Sequence, residues 1–201
     1  EQWDEPKRVD IPELNGSAVH PAPDPNGDRL FFASDREGGF GGYDLYVTTR
    51  MRGAWSEPEN LGPLVNTEGD DLFPHLDEEG TLFWASDGRV SLGGMDIYFA
   101  DLDELSDIHH PGAPLNSAHD DFGIIWTDSI GEGIMVSNRP GGAGGDDLWY
   151  VRRVDLFPLL ATVLDADSLP VSGVEVRIVN ANGEVSEGVD RKSTRLNSSH
   201  T

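Results

Sequence analysis

An all-β fold is predicted by three observations. One block occurs three times, as LFFASDREGGFGGYDLYV (30–47), LFWASDGRVSLGGMDIYF (82–99) and IMVSNRPGGAGGDDLWYV (134–151). Ser34, Ser86 and Ser137 stand 52 and 51 residues apart, and Asp44, Asp96 and Asp147 keep both spacings. No stretch carries a helical period of useful length, whereas short apolar runs bounded by Gly, Pro, Asn and Asp recur throughout. A period of about 50 residues that reads as four short strands is the signature of a β-propeller blade, because one twisted four-stranded sheet can bury its apolar faces only against neighbours. The prediction is therefore a partial β-propeller of about three four-stranded blades, followed by a truncated β-sandwich segment.

The chain opens on WDEPKRVDIPELN (3–15), a copy of WSEPENLGPLVN (55–66) and of LSDIHHPGAPLN (105–116). These elements fall between the blocks and read as the fourth, looser strand of each period. Residues 1–15 are thus expected to be the outer strand of a neighbouring blade, with repeats over about 18–67, 68–117 and 118–153. In the second repeat the strands are expected at about 72–76, 81–85, 96–100 and, loosely, 105–116, with turns at EEG and GRVSLGG. Phe31/Phe32, Phe83/Trp84 and Met135/Val136 occupy equivalent strands and are the expected core. Three blades do not close a ring, since propellers have four to eight. The propeller portion, 1–153, is therefore expected to be a fragment of a longer ring, or half of a ring that two copies complete.

Composition changes after the repeats. Residues 158–190 alternate apolar and polar side chains in two runs, 160–164 and 174–179, joined by a Pro/Ser/Gly turn and followed by Asn182-Gly183. This reads as the opening of a small β-sandwich, too short to bury a core. The tail, 191–201, has no pattern, holds three of the fourteen bases and reads as non-native.

Charge excludes several functions. Thirty-seven acids against fourteen bases give a net charge of −23, a field that repels phosphate backbones and anionic headgroups, so nucleic-acid partners are not expected. With no cysteine, disulfides, thiolate metal sites and Cys nucleophiles are excluded. No apolar run approaches 18 residues, so no transmembrane segment is expected.

The SDREGGFGGYDLYV block, its relative SDGRVSLGGMDIYF and the W-S-E-P-x-N-L-G-x-x-x-N spacer resemble the WD40-like propeller repeats of bacterial envelope proteins of the TolB and OmpA-associated kind. ATVLDADSLPVSGVEVRIVNANGEV resembles the start of a carboxypeptidase regulatory-like domain. That order resembles the OmpA-family envelope lipoproteins of Bacteroidetes-type bacteria, including the peptidoglycan-anchored component of a secretion machinery. The third copy departs from the pattern, with Asn138 in place of Asp35 and Asp87 and no WSEP element. The resemblance implies a non-catalytic protein–protein interaction scaffold in the periplasm, associated with the outer membrane. It implies other envelope proteins as partners, peptidoglycan contact only through a domain not contained in these residues, and no cofactor. The alternative from another class is the propeller portion of an exported hydrolase, a peptidase or a glycosidase.

Candidate chemistry is sparse. The glycines of GGFGGYD and GGAGGDD are followed by no helix, so they read as turn residues rather than a phosphate cradle. Asp24, Asn26 and Asp28 have the alternate ligands of half a calcium loop but lack its downstream Glu, and Pro-Asn-Gly is a turn signal. His109, His110, His119, Asp120 and Asp121 form the densest group of metal-ligating residues. Without HExxH spacing, loop histidines are the preferred reading. No G-x-S-x-G elbow or sialidase Asp box is present, and Ser34, Ser86 and Ser137 repeat, as do Asp35, Asp87 and Asn138 beside them. Arg36, Arg89 and Arg139 follow these pairs and either form an arc that holds a carboxylate ligand or each pair with an Asp of their own blade, such as Asp44, Asp96 or Asp147. The pairing is preferred. The three aspartates are expected to accept bonds from turn backbone or from these arginines.

Overall fold

The computed structural model describes residues 3–127, 131–154, 165, 171, 175–179 and 185–189. It divides into two compact units, Glu1–Arg153 and Val154–Thr201. The described residues contain no helix. The first unit holds three antiparallel sheets. In the first sheet β1 (Ala18–Pro23), β2 (Arg29–Ser34) and β3 (Asp44–Met51) form a meander, and the short β4 (Ala54–Trp55) and β5 (Glu59–Asn60) both pair with β3. The second sheet is β6 (Asp71–Leu76), β7 (Thr81–Ser86) and β8 (Asp96–Asp101), and the third is β9 (Asp121–Trp126), β10 (Glu132–Ser137) and β11 (Asp147–Arg152).

The register repeats with the sequence. Ser34 faces Asp44, Ser86 faces Asp96 and Ser137 faces Asp147, while the same serines face Ala18, Asp71 and Asp121 on the other side. Each first strand carries an irregularity against its neighbour, with its third residue left-handed: His20 (φ 53°), Phe73 (φ 55°) and Gly123 (φ 62°). Only the third sheet uses glycine there. A bulky residue in this region costs about 1–2 kcal/mol, offset in the first two sheets by ring stacking. The His20 ring lies 3.8 Å from that of Phe73, which in turn lies 4.8 Å from Phe122.

The middle strand of the second sheet reads as an unbroken apolar run because both its faces are covered, one by the first sheet and one by the third. One buried cluster joins Phe31 and Leu45 of the first sheet to Leu82, Trp84, Tyr98 and Ala100 of the second, with Val65 of the linker among them. A second joins Phe83 and Ile97 to Ile124 and Met135, flanked by Leu115, Trp126 and Trp149. The outward face of the third sheet is open: Ile125, Ile134, Leu148 and Tyr150 are 58%, 43%, 76% and 65% exposed.

The fourth strand is shorter than the spacing predicts. It is two residues long in the first sheet and a single bridge, Phe99 to His109, in the second, and nothing described follows β11 in that role. Residues 3–17 form no strand in this chain, although 1–15 were expected to be the outer strand of a neighbouring blade. In the second unit Glu175–Val179 (β12) pairs antiparallel with Val185–Val189 (β13). The expected run at 160–164, the Asn182-Gly183 turn and the tail at 191–201 lie outside the described residues.

Candidate interaction surface

The repeated polar residues build one kind of junction twice. At its base the third-strand aspartate caps the preceding glycine-rich turn. Asp44 accepts the Phe40 and Gly41 N–H groups (2.8 and 3.2 Å), Asp96 accepts that of Leu92 (2.7 Å) and Asp147 that of Gly144 (3.1 Å). A linker side chain adds a bond in the first two cases, Asn60 Nδ2 to Asp44 and His110 Nε2 to Asp96, each at 2.7 Å. Two residues of the linkers then clasp the outer edge of the third strand. The Asn66 amide accepts from Leu45 N–H (2.7 Å) and donates to its carbonyl (3.0 Å), and Asn116 does the same for Ile97 (2.9 Å each).

The next sheet is attached through the Asp-Asp pairs at 70–71 and 120–121. Asp70 accepts Tyr43 N–H (2.8 Å) while Asp71 N–H donates to the Tyr43 carbonyl (2.7 Å); Asp120 and Asp121 treat Met95 identically (3.0 and 2.7 Å). The residue after each repeated serine positions this loop. Asp87 accepts Asp70 N–H (2.7 Å), Asn138 accepts Asp120 N–H (2.9 Å), and Asp35 accepts Ser17 N–H (2.6 Å). Asn138 therefore does the work of an aspartate, and its Nδ2 also donates to Asp120 (2.7 Å).

This approach is what the paired glycines permit. A Cβ on Gly41 would overlap the Thr67 and Gly69 carbonyl oxygens, one on Gly93 the backbone of His119, and ones on Gly42 and Gly94 the Asp70 and Asp120 carboxylates. Their role is close contact between sheets more than turn conformation. The equivalent Gly144 and Gly145 have nothing within 4 Å of the same position.

The arginines correct the expected pairing. None binds Asp44, Asp96 or Asp147. Each sits over the aromatic ring of the third strand, Arg36 over Tyr46 (4.5 Å), Arg89 over Tyr98 (5.5 Å) and Arg139 over Trp149 (5.6 Å). Each also reaches back to main-chain carbonyls of the preceding linker: Arg36 to Glu13, Arg89 to Leu64 and Val65, Arg139 to Pro114 and Leu115. Arg139 adds an ion pair with buried Asp121. In the first sheet Ala18 holds the place of Asp121, and the Arg36 Nη2 is buried without a partner among the described residues. Ala18→Asp is accordingly expected to stabilise the protein by about 1 kcal/mol, read from urea unfolding.

The remaining candidates disperse. Asp24 accepts the Asp28 and Arg29 N–H groups and pairs with the Arg29 side chain (3.2 Å), closing a turn. His109 pairs with Asp107 (3.3 Å) and stacks on Phe99. His110 faces Asp96, and His119 is exposed above Gly93. Among the described residues no three His, Asp or Glu side chains converge as a metal site.

His75 is a residue the sequence did not single out. Its Nε2 accepts Trp126 N–H (3.2 Å), tying the second sheet to the third, and burial holds its pKa below 6.5 despite nearby Asp77. Burial also lowers the pKa of His20. A folded-state pKa below the unfolded value means that the unfolded chain binds more protons, so stability is lost as pH falls through about 6.5. Asp71 acts oppositely: burial raises its pKa above 3.8, so its contribution improves on acidification in that lower window. The thermal midpoint is expected to fall between pH 7.5 and 5.5, and His75→Gln, which keeps an acceptor without a proton site, to flatten the fall.

No family model matches the chain, and no curated protein matches it. Among solved structures it is similar to an α-L-arabinofuranosidase from Lactobacillus brevis, with 12% identity over 84% of this chain and a TM-score of 0.44. The match spans 59% of that protein.

Proposed function

We propose that the three sheets are blades of a β-propeller and that the chain belongs to a non-catalytic interaction scaffold of the bacterial cell envelope, periplasmic and associated with the outer membrane. The observation that carries the non-catalytic reading is the use made of the repeated polar residues. The serines, the aspartates and the arginines each hold a turn, a linker or the next sheet, so these motifs are spent on architecture. The envelope location rests on the repeat and spacer motifs and on the regulatory-like segment that follows. Other envelope proteins are the expected partners.

The test is a panel of aryl glycosides and chromogenic peptides incubated with the full chain. No turnover above the blank is expected. Turnover removed by substituting His109, His110 and His119 with alanine would replace the scaffold reading with a hydrolase.

A further inference from the structure

Four apolar side chains of the first unit face solvent although the backbone that carries them is fastened. Phe40, Leu64, Val90 and Leu92 are 46%, 55%, 94% and 50% exposed, and none joins either buried cluster. Phe40 and Leu92 donate their N–H groups to Asp44 and Asp96 (2.8 and 2.7 Å), the Leu64 carbonyl accepts from Arg89, and the Val90 carbonyl accepts from the Tyr98 hydroxyl (2.8 Å). Anchored loops therefore hold these side chains outward. They contribute nothing to the core, yet they offer a partner apolar area whose backbone is already ordered.

The four lie together. Ser34 faces Asp44 and Ser86 faces Asp96 at the closing ends of their hairpins, so loops 35–43 and 87–95 leave the same end of the sheets, where linker 61–70 also enters β6. That linker runs between the two loops. On one side it meets Gly41, where a Cβ would overlap atoms of Thr67, Glu68 and Gly69; on the other its Leu64 and Val65 carbonyls hold Arg89, and its Thr67 meets Gly88.

Acids are interleaved with these residues. The three segments hold Asp35, Glu37, Glu68, Asp70 and Asp87 against Arg36 and Arg89, and both guanidinium groups are engaged by aromatic rings and linker carbonyls. Glu37 and Glu68 are exposed and form no ion pair among the described residues. Such a surface repels phosphate backbones and anionic lipid. A segment that mixes cations with apolar side chains meets complementary charge and apolar area at once.

We propose that this surface binds a short segment of another protein in which lysine or arginine alternates with leucine-like residues. Its apolar side chains seat against Phe40, Leu64, Val90 and Leu92, and its cations meet Glu37, Glu68 and Asp87. The inference rests on the scaffold reading and names the chemistry of the partner.

Fluorescence anisotropy of a labelled synthetic peptide of alternating lysine and leucine, titrated with the full chain, tests it. Saturable binding is expected, and peptides with glutamate for lysine or serine for leucine are expected to fail. Leu64→Ser with Val90→Ser should weaken binding at least about tenfold, and Glu37→Gln with Glu68→Gln at least about threefold. Circular dichroism should show an unchanged fold, because all four side chains lie outside the core. Glu78→Gln with Glu104→Gln, exposed at the opposite end of the second sheet, should change binding by less than about twofold. Failure of the parent chain to bind overturns the inference. So does equal binding of the lysine–serine peptide, or an equal loss at Glu78 and Glu104, either of which would mean bare charge attraction. Co-sedimentation with phosphatidylcholine vesicles that Leu64→Ser with Val90→Ser removes would assign the patch to a bilayer and overturn it as well. None of these results touches the scaffold reading's own test, the hydrolase panel.

Discussion

Gly93→Val is expected to lower the stability of the protein by about 3 kcal/mol, the upper part of the range for forcing atoms into a packed region. The first atom of the new side chain would meet main-chain atoms of Ala118 and His119, which cannot rotate away. Relief requires the third sheet to move off the second, opening the Met95 bonds to Asp120 and Asp121 and the cluster around Phe83, Ile97 and Met135. Gly145→Val is the control. It meets no described atom within 4 Å, so its urea midpoint should match that of the parent. Equal losses at both positions would show that the glycines matter for turn conformation alone.

Asp121→Ala is expected to cost about 3–5 kcal/mol, the range for removing one partner of a buried ion pair. The Asp121 carboxylate is fully buried, accepts Ser117 N–H (2.5 Å) and holds the guanidinium of Arg139. Its loss strands a cation that is itself mostly covered. Asp35→Ala removes an exposed carboxylate of the first repeat, and the cost there should stay within about 1 kcal/mol. Comparable effects of the two substitutions, measured by urea unfolding, would contradict the weight placed on burial.

The sheets were legible in the sequence because their register is carried by residues that recur at a constant offset. Ser34 to Asp44 spans one strand turn, as do Ser86 to Asp96 and Ser137 to Asp147, and the apolar pairs just before the serines fix which strand lies in the middle. The turn-capping work of Asp44, Asp96 and Asp147 was equally legible, since an aspartate one residue beyond a glycine pair, at the start of a strand, has few other donors to serve. The junctions were not. Asp70 and Asp71 are neighbours of identical chemistry, and only the direction of each side chain separates the one that reaches the previous sheet from the one that stays in its own. Only Arg139 pairs with an acid of its own sheet, Asp121, and the other contacts of the arginines were not legible because an aromatic face and a row of linker carbonyls leave no charge signature in a sequence. One signal was available: the first loop, Asn15-Gly16-Ser17-Ala18, is shorter than 66–71 and 116–121 and lacks both aspartates.

The backward reach of the arginines also sets an order of assembly. Arg89 fastens a linker that lies 24 and 25 residues earlier in the chain, and Arg139 does so at the same distances. During synthesis each sheet can form its meander as it emerges, yet its linker stays unfastened until half of the following sheet has left the ribosome. Completion therefore proceeds from the amino end, always one sheet behind the growing point. A chain cut between Asn116 and Arg139 should then expose not only its damaged third sheet but also the linker of the intact second one, giving proteases a foothold one unit upstream of the break.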